Sequence, residues 1–172
     1  MPTDVVRPGY AFRGWFKRFP GFHGKDTDPY TEIADGDVWK WRQGATFTAK
    51  WEAEECTLTW DANGGVVTSD GPVSYGVAYG QLVGGLKEVE RIGYDFIGWF
   101  TDKTYGEQVT PYTKISPLNG NSQTYYAHWM IRTFKVEFDA NGGVGGWTRE
   151  LEYGRTIVEP IPTRIGHRFD GW

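Results

Sequence analysis

The chain of 172 residues repeats short motifs in a fixed order, and this repetition constrains its fold more than any other feature. A glycine–aromatic motif occurs at residues 9–15 (GYAFRGW), 93–99 (GYDFIGW) and 166–172 (GHRFDGW). A turn motif occurs at 60–65 (WDANGG) and 138–143 (FDANGG). Self-similarity of this kind is typical of tandem modules, each a small supersecondary unit that packs on its neighbours.

A third motif marks where each module ends. Residues 47–51 (FTAKW) and 125–129 (YYAHW) both end on tryptophan, and the same number of residues separates that tryptophan from the next DANGG turn. The constant spacing locates the module boundaries. It predicts residues 1–52 as the C-terminal part of a first repeat, 53–132 as a complete repeat, and 133–172 as the N-terminal part of a third.

Composition favours short strands and excludes several classes of protein. Aromatic residues make up 17% of the chain and 24 residues are glycine, which suits strands joined by tight turns. The formal net charge of -4, with no basic stripe, disfavours nucleic acid as a partner. No run approaches ~18 apolar residues, so we expect no membrane insertion. Cys56 is the single cysteine, so no intramolecular disulfide can form.

The residues around the DANGG motif predict a strand followed by a tight turn. Residues 57–60 and 135–138 alternate polar and apolar, as half-buried strands do, and Asn-Gly next to them is the strongest signal for a type I′ hairpin turn. The motif also resembles the start of a calcium loop, but the bidentate Glu that such a loop needs at its twelfth position is missing. We therefore assign turn chemistry, and no metal, to Asp61, Asn63, Gly64, Asp139, Asn141 and Gly142.

Recurrence assigns most of the large rings to a shared core. Residues 94–99 and 124–130 are predicted strands, and the first needs a one-residue shift for Trp99 to share a face with Phe96. The polar stretch between them predicts a short helix or 3₁₀ turn near residues 111–116. The predicted structural core is Trp15, Trp51, Trp60, Tyr94, Phe96, Trp99, Tyr126, Trp129, Phe138, Phe169 and Trp172.

No pattern of residues indicates catalysis. His23, His128 and His167 are scattered, and the last two occupy repeat positions that hold other residues in other copies. Cys56 is far in sequence from any histidine, and the chain has no nucleophile elbow, phosphate-binding loop or metal-spaced cluster. The sequence predicts a protein that is not an enzyme and has no cofactor.

Three tryptophans fall outside the repeated motifs: Trp39, Trp41 and Trp147. Trp39 and Trp41 alternate, which would place both rings on one face of a strand. One interpretation is an additional edge strand that covers the module. The other is an exposed aromatic patch that binds a glycan or a protein.

The motifs VxFDANGG, Tyr-Gly, RxGYxFxGW and YAxW, in this order, resemble the Listeria–Bacteroides repeat, the internalin-type B-repeat of bacterial surface proteins. The resemblance implies a mainly β (α+β) fold of tandem β-grasp-like, ubiquitin-like modules with little helix. It also implies a secreted or cell-surface location, although the N-terminus lacks the features of a signal peptide. Trp60 stands where the family has Phe, and Phe47 to Lys50 depart from its Tyr-Ala pattern.

Three hypotheses for function remain open. The first is a non-enzymatic stalk, spacer or adhesion element, with cell-wall or host proteins and glycans as partners. The second is a binding module that uses exposed aromatic residues. The third is head-to-tail self-association, in which residues 133–172 of one molecule complete residues 1–52 of another.

Overall fold

A computed structural model describes residues 5–18, 31–33, 46–117 and 120–172, and every regular element in these ranges is a strand. The prediction of a mainly β fold is confirmed, while the β-grasp comparison stays a prediction. Trp39 and Trp41 lie outside the described residues. The strands are β1 (Tyr10–Arg18), β2 (Thr31–Ile33), β3 (Thr46–Ala53), β4 (Glu55–Asp61), β5 (Val66–Val67), β6 (Ser74–Ala78), β7 (Val89–Glu90), β8 (Tyr94–Phe100), β9 (Gln108–Val109), β10 (Ser122–Ile131), β11 (Thr133–Phe138) and β12 (Trp147–Glu152).

The chain divides into two compact units, and each has its own buried core. The first comprises Met1–Thr59, Ser74–Gly84 and Pro111–Gln123, and the second comprises Trp60–Val73, Gly85–Thr110 and Thr124–Trp172. The buried side chains of the first unit are Cys56, Leu58, Val77, Val83 and Ile115. Those of the second are Trp60, Trp99, Val109, Tyr125 and Ala127.

The strands form small sheets. One sheet has the order β2-β1-β3, and the largest has the order β6-β4-β10-β8-β9. Two further pairs are β5 with β7 and β11 with β12.

A β-bulge in β8 supplies the one-residue shift that the sequence pattern requires. Trp129 pairs with Phe96 and His128 pairs with Gly98, which leaves Ile97 as the extra residue. Side chains at positions 96 and 99 of a regular strand would point to opposite faces, and the bulge brings them to one face. The centroids of the Phe96 and Trp99 rings accordingly lie 5.9 Å apart. A register shift also occurs in β1 between Phe12 and Trp15.

Of the two alternatives expected at residues 111–116, the helix is wrong: the structure has a turn at residues 111–112 and no helix there. Lys114 instead forms an isolated β-bridge with Leu82. The backbone N–H of Val83 donates to Thr113 O at 2.9 Å, and that of Ile115 donates to Gln81 O at 2.9 Å. Pairing with a distant segment satisfies these backbone groups, so the local turn signals do not lead to a helix.

The predicted core residues differ widely in burial. Trp99 is 0% exposed and packs edge-on against the buried Trp60, with ring centroids 4.7 Å apart. The buried tyrosine of β10 is Tyr125 rather than Tyr126, because side chains on a strand alternate and Tyr125 shares the face of the buried Ala127. Trp15, Trp51, Tyr94, Tyr126, Trp129 and Phe138 are half-buried, whereas Phe96, Phe169 and Trp172 are exposed by 40% or more.

Candidate functional site: the joints between repeats

The DANGG motif forms the same turn in both copies. Asn63 and Gly64 have φ of 47° and 88°, and a backbone hydrogen bond of 3.0 Å from Gly65 to Ala62 closes the turn, as in type I′ geometry. The Asp61 carboxylate accepts the N–H of Asn63 at 2.8 Å. Residues 139–143 repeat these features, with φ of 46° and 80° and hydrogen bonds of 2.9 Å.

The turn does not make a simple hairpin. The strand that follows it, β5, pairs with β7, while β4 pairs with β6. The Asn63 side-chain amide donates to Ala127 O at 3.0 Å, and the indole N–H of Trp129 donates to Ala62 O at 2.9 Å. Arg91 donates to Asn63 O at 3.3 Å. These bonds connect three of the repeated motifs, so the turn serves to hold the module together.

The remaining candidate ligand-binding tryptophan, Trp147, packs within its own hairpin. It pairs with Phe138 across β11 and β12, and the two ring centroids are 4.7 Å apart. The Trp147 ring also makes a cation–π contact with the Arg149 guanidinium, whose carbon lies 5.0 Å from the ring centroid. The half-buried ring therefore has two intramolecular partners.

The histidines and the cysteine do not form a shared site in the described part of the chain. His128 stacks on Phe100 with ring centroids 4.0 Å apart, and its Nε2 lies 2.9 Å from Asp102 O. His167 Nδ1 lies 3.0 Å from Ile165 O, and His23 is outside the described residues. Burial, together with the charge of Glu54, raises the pKa of the Cys56 thiol. Within the described ranges, no three His, Cys, Asp or Glu side chains are grouped as metal ligands would be.

The same contact between successive repeats occurs twice, and we call each occurrence a joint. The first joint is formed by Gly9, Glu54 and Tyr79. The Tyr79 ring lies against Gly9, so a β-carbon at that position would enter the ring. Glu54, the single residue between β3 and β4, donates its N–H to Gly9 O at 3.0 Å. Its carbonyl oxygen accepts the N–H of Tyr79 at 2.8 Å. One linking residue thus ties both sides of the joint together.

The second joint has the same parts, one repeat further along the chain. The Tyr153 ring lies against Gly93, again in the space of a β-carbon. Arg132, the single residue between β10 and β11, donates its N–H to Gly93 O at 2.9 Å and accepts the N–H of Tyr153 at 2.8 Å. We call this three-residue arrangement of glycine, link residue and tyrosine the clasp.

The tyrosine of each clasp stands on a tight turn. Gln81 N donates to Ala78 O at 3.1 Å and Gly80 has φ of 79°. The copy at residues 152–155 has the same hydrogen bond at 3.1 Å and a glycine φ of 78°. A positive φ at the third residue requires glycine in a type II turn, which explains the Tyr-Gly pair.

The glycine of each clasp also stands on a turn. Tyr10 N donates to Arg7 O at 3.0 Å, and Tyr94 N donates to Arg91 O at 3.1 Å. Gly9 and Gly93 have φ of 77° and 78°, which favours glycine independently of the ring above. The guanidinium carbons of Arg7 and Arg91 lie 3.8 Å from the Tyr10 and Tyr94 ring centroids, a cation–π geometry that holds the turn.

Comparison with known proteins matches most of this chain to one family. Residues 56–128 and 134–172 match the profile of the Listeria-Bacteroides repeat domain. Two relatives from Evansella cellulosilytica are 32% identical over 99% and 98% of the chain: a "Putative membrane protein" and a "Putative Gly-rich membrane protein". The chain spans 24% and 18% of their lengths. No solved structure matches.

The described residues contain no helix that could span a membrane.

Proposed function

The chain belongs to the Listeria–Bacteroides repeat family, and we propose that it acts as a non-enzymatic stalk or spacer in a bacterial surface or secreted protein. The observation that carries this proposal is the clasp, which occurs twice with the same backbone hydrogen bonds. A single linking residue with both backbone groups bonded restricts how one repeat can move against the next. Restricted joints are what a spacer needs in order to hold other domains at a distance.

The names of the relatives support an extracytoplasmic location. Both are named as membrane proteins and are several times longer than this chain, which leaves room for an anchor and further domains in such proteins. A segment of repeats between an anchor and an outer domain would act as the spacer. Adhesion to cell-wall or host proteins and glycans would be a property of the tryptophans outside the repeated motifs, with Trp39, Trp41 and Trp147 as the candidates.

Small-angle X-ray scattering tests the spacer proposal. Tyr79→Ala with Tyr153→Ala removes both clasp rings, and we expect the double variant to show a broader distribution of interatomic distances than the wild type. Tyr105→Ala is the matched control, because Tyr105 is 80% exposed and lies at neither clasp. Identical scattering from the double variant and the wild type, with both folded, would refute a restricted spacer.

A second candidate function is self-association through the third repeat. A cavity of about 210 Å³ lies beside Ala140, Asn141, Arg164 and Trp172. Trp172 is 45% exposed, whereas Trp99 at the same motif position is fully buried. Both indole N–H groups donate to a loop carbonyl at 2.8 Å, so the ring of Trp172 is already in place.

In the complete repeat, the position equivalent to this cavity is occupied by residues of β10. Trp129 there donates to Ala62 O, and its ring would meet a β-carbon on Gly65. A strand with the pattern aromatic-x-Ala-x-Trp from a second molecule, such as residues 47–51, has the side chains to occupy the cavity. Sedimentation velocity over a concentration series tests this: association that Trp51→Ala weakens supports it, and a monomer at all concentrations refutes it.

A further inference from the structure

We propose that Gly166 is the acceptor of a third clasp, and that its ligand is the Tyr-Gly turn of a further repeat. The proposal deepens the spacer function and rests on it. The ligand has a definite chemistry: a type II turn with tyrosine at its second position and glycine at its third, at the end of an antiparallel hairpin. Tyr79 and Tyr153 already present their rings in this way.

The acceptor turn at Gly166 is already formed. His167 N donates to Arg164 O at 3.1 Å, as Tyr10 and Tyr94 do to their own arginines. Gly166 has φ of 73°, close to the values at the two occupied clasps. The same backbone geometry therefore exists without a ring against it, which shows that the tyrosine does not induce the turn. A preformed acceptor costs little conformational entropy when the ligand binds.

The surface of Gly166 is open. No described atom lies within 4 Å of the point where its β-carbon would stand, whereas the same point at Gly93 lies inside the Tyr153 ring. The occupied clasps show what the glycine provides: a flat face that an aromatic ring can contact, with a backbone carbonyl beside it that accepts the link residue's N–H. Any larger side chain at this position would exclude the ring.

A further repeat of the same protein fits this acceptor better than a second molecule of the present chain. Among the described residues, the two Tyr-Gly pairs that stand on a hydrogen-bonded type II turn, at Tyr79 and Tyr153, are already held by Gly9 and Gly93, so a second molecule could offer one of them only by opening a clasp. The two relatives extend well beyond the matched region, since the chain covers 24% and 18% of them. Longer proteins of this family thus have room for the repeat that would follow.

An extended chain tests the acceptor directly. Trp172 and Trp99 end the same motif, so a second copy of residues 100–172 appended after Trp172 continues the repeat in register and supplies a copy of Tyr153. The readout is the ring-current shift of the glycine α-protons in NMR spectra. Protons that point into the face of an aromatic ring resonate upfield of their normal position. We expect upfield α-protons at Gly9 and Gly93 in the 172-residue chain, and a normal shift at Gly166.

In the extended chain, the α-protons of Gly166 should move upfield by an amount similar to those of Gly93. Replacing the appended copy of Tyr153 by alanine should return the Gly166 α-protons to their normal shift, while the Gly93 α-protons stay upfield. A normal Gly166 shift in a folded extended chain, with Gly93 shifted, overturns the proposal. That failure is distinguishable from failure of the spacer function, because the scattering test on Tyr79 and Tyr153 uses only the two clasps within the present chain.

Discussion

The ring of Tyr153 lies against the α-carbon of Gly93, in the space that a β-carbon would fill. The two residues belong to different copies of the repeat, and the backbone of Arg132 hydrogen-bonds to both. The same relationship joins Tyr79 to Gly9 through Glu54. Gly93, which its positive φ already explains as a turn residue, therefore has a second role as a contact surface between repeats.

Gly93→Ala should destabilise the protein more than Gly154→Ala. The two glycines have the same φ of 78°, so the backbone strain of alanine, about 1 kcal/mol, is common to both variants. Only at Gly93 would the new methyl group enter a ring, and such overpacking costs about 1–3 kcal/mol more. Denaturant unfolding followed by tryptophan fluorescence measures the difference. Equal free energies of unfolding for the two variants would show that the ring does not press on Gly93.

Trp99→Ala should cost about 3–5 kcal/mol of unfolding free energy, in line with other buried aromatic residues. Trp99 is fully buried, packs against Trp60 and donates its indole N–H to Lys87 O. Trp172→Ala is the matched control, because Trp172 has the equivalent hydrogen bond but is 45% exposed. We expect it to cost less than half as much in the same denaturant titration. A loss below about 1 kcal/mol for Trp99→Ala would contradict its place in the core.

Asn63→Gly should be more destabilising than Asn141→Gly. Both asparagines have φ near 46°, a conformation that glycine adopts freely, so the turn itself is retained in each variant. The two positions differ in one hydrogen bond of the described residues, which the Asn63 side-chain amide donates to Ala127 O. A hydrogen bond of this kind contributes about 0.5–1.5 kcal/mol to stability. Thermal unfolding of the two variants side by side provides the test, and a larger effect at Asn141 would reverse the assignment.

The Cys56 thiol should react slowly with an alkylating reagent in the native protein. Its side chain is 3% exposed, and burial and the charge of Glu54 raise its pKa, which lowers the fraction of reactive thiolate at neutral pH. Labelling in denaturant should be much faster, and the native labelling rate should continue to rise with pH beyond the point at which the rate of an ordinary cysteine levels off. Equal labelling rates in native and denaturing buffer would show that this strand is open in solution.

Sequence reasoning succeeded where the determining chemistry is local. Asn63 and Gly64 predict their turn because positive φ at adjacent residues is rare outside Asn and Gly, and the shift before Trp99 follows from strand alternation. It failed where a distant partner decides the outcome. Residues 111–116 pair with residues near Gln81 and so form no helix, and the register of β10 buries Tyr125 instead of Tyr126.

The clasp was not predictable from the sequence for the same reason. Tyr153 and Gly93 lie in separate motifs, and either one alone is explained by a turn. Their contact depends on the link residue Arg132 bringing the two turns together. Recurrence of both motifs offered a signal, because two motifs that recur in the same order are candidates for mutual contact.

The most direct test of the clasp is amide hydrogen exchange at Arg132, whose N–H donates to Gly93 O. Tyr153→Ala should raise the exchange rate of the Arg132 amide well above that of the wild type, because loss of the ring removes the contact that holds the two turns together. Tyr105→Ala, which removes an exposed ring away from both clasps, should leave that rate unchanged. An Arg132 amide that stays as protected in Tyr153→Ala as in the wild type would contradict the clasp as the coupling between repeats.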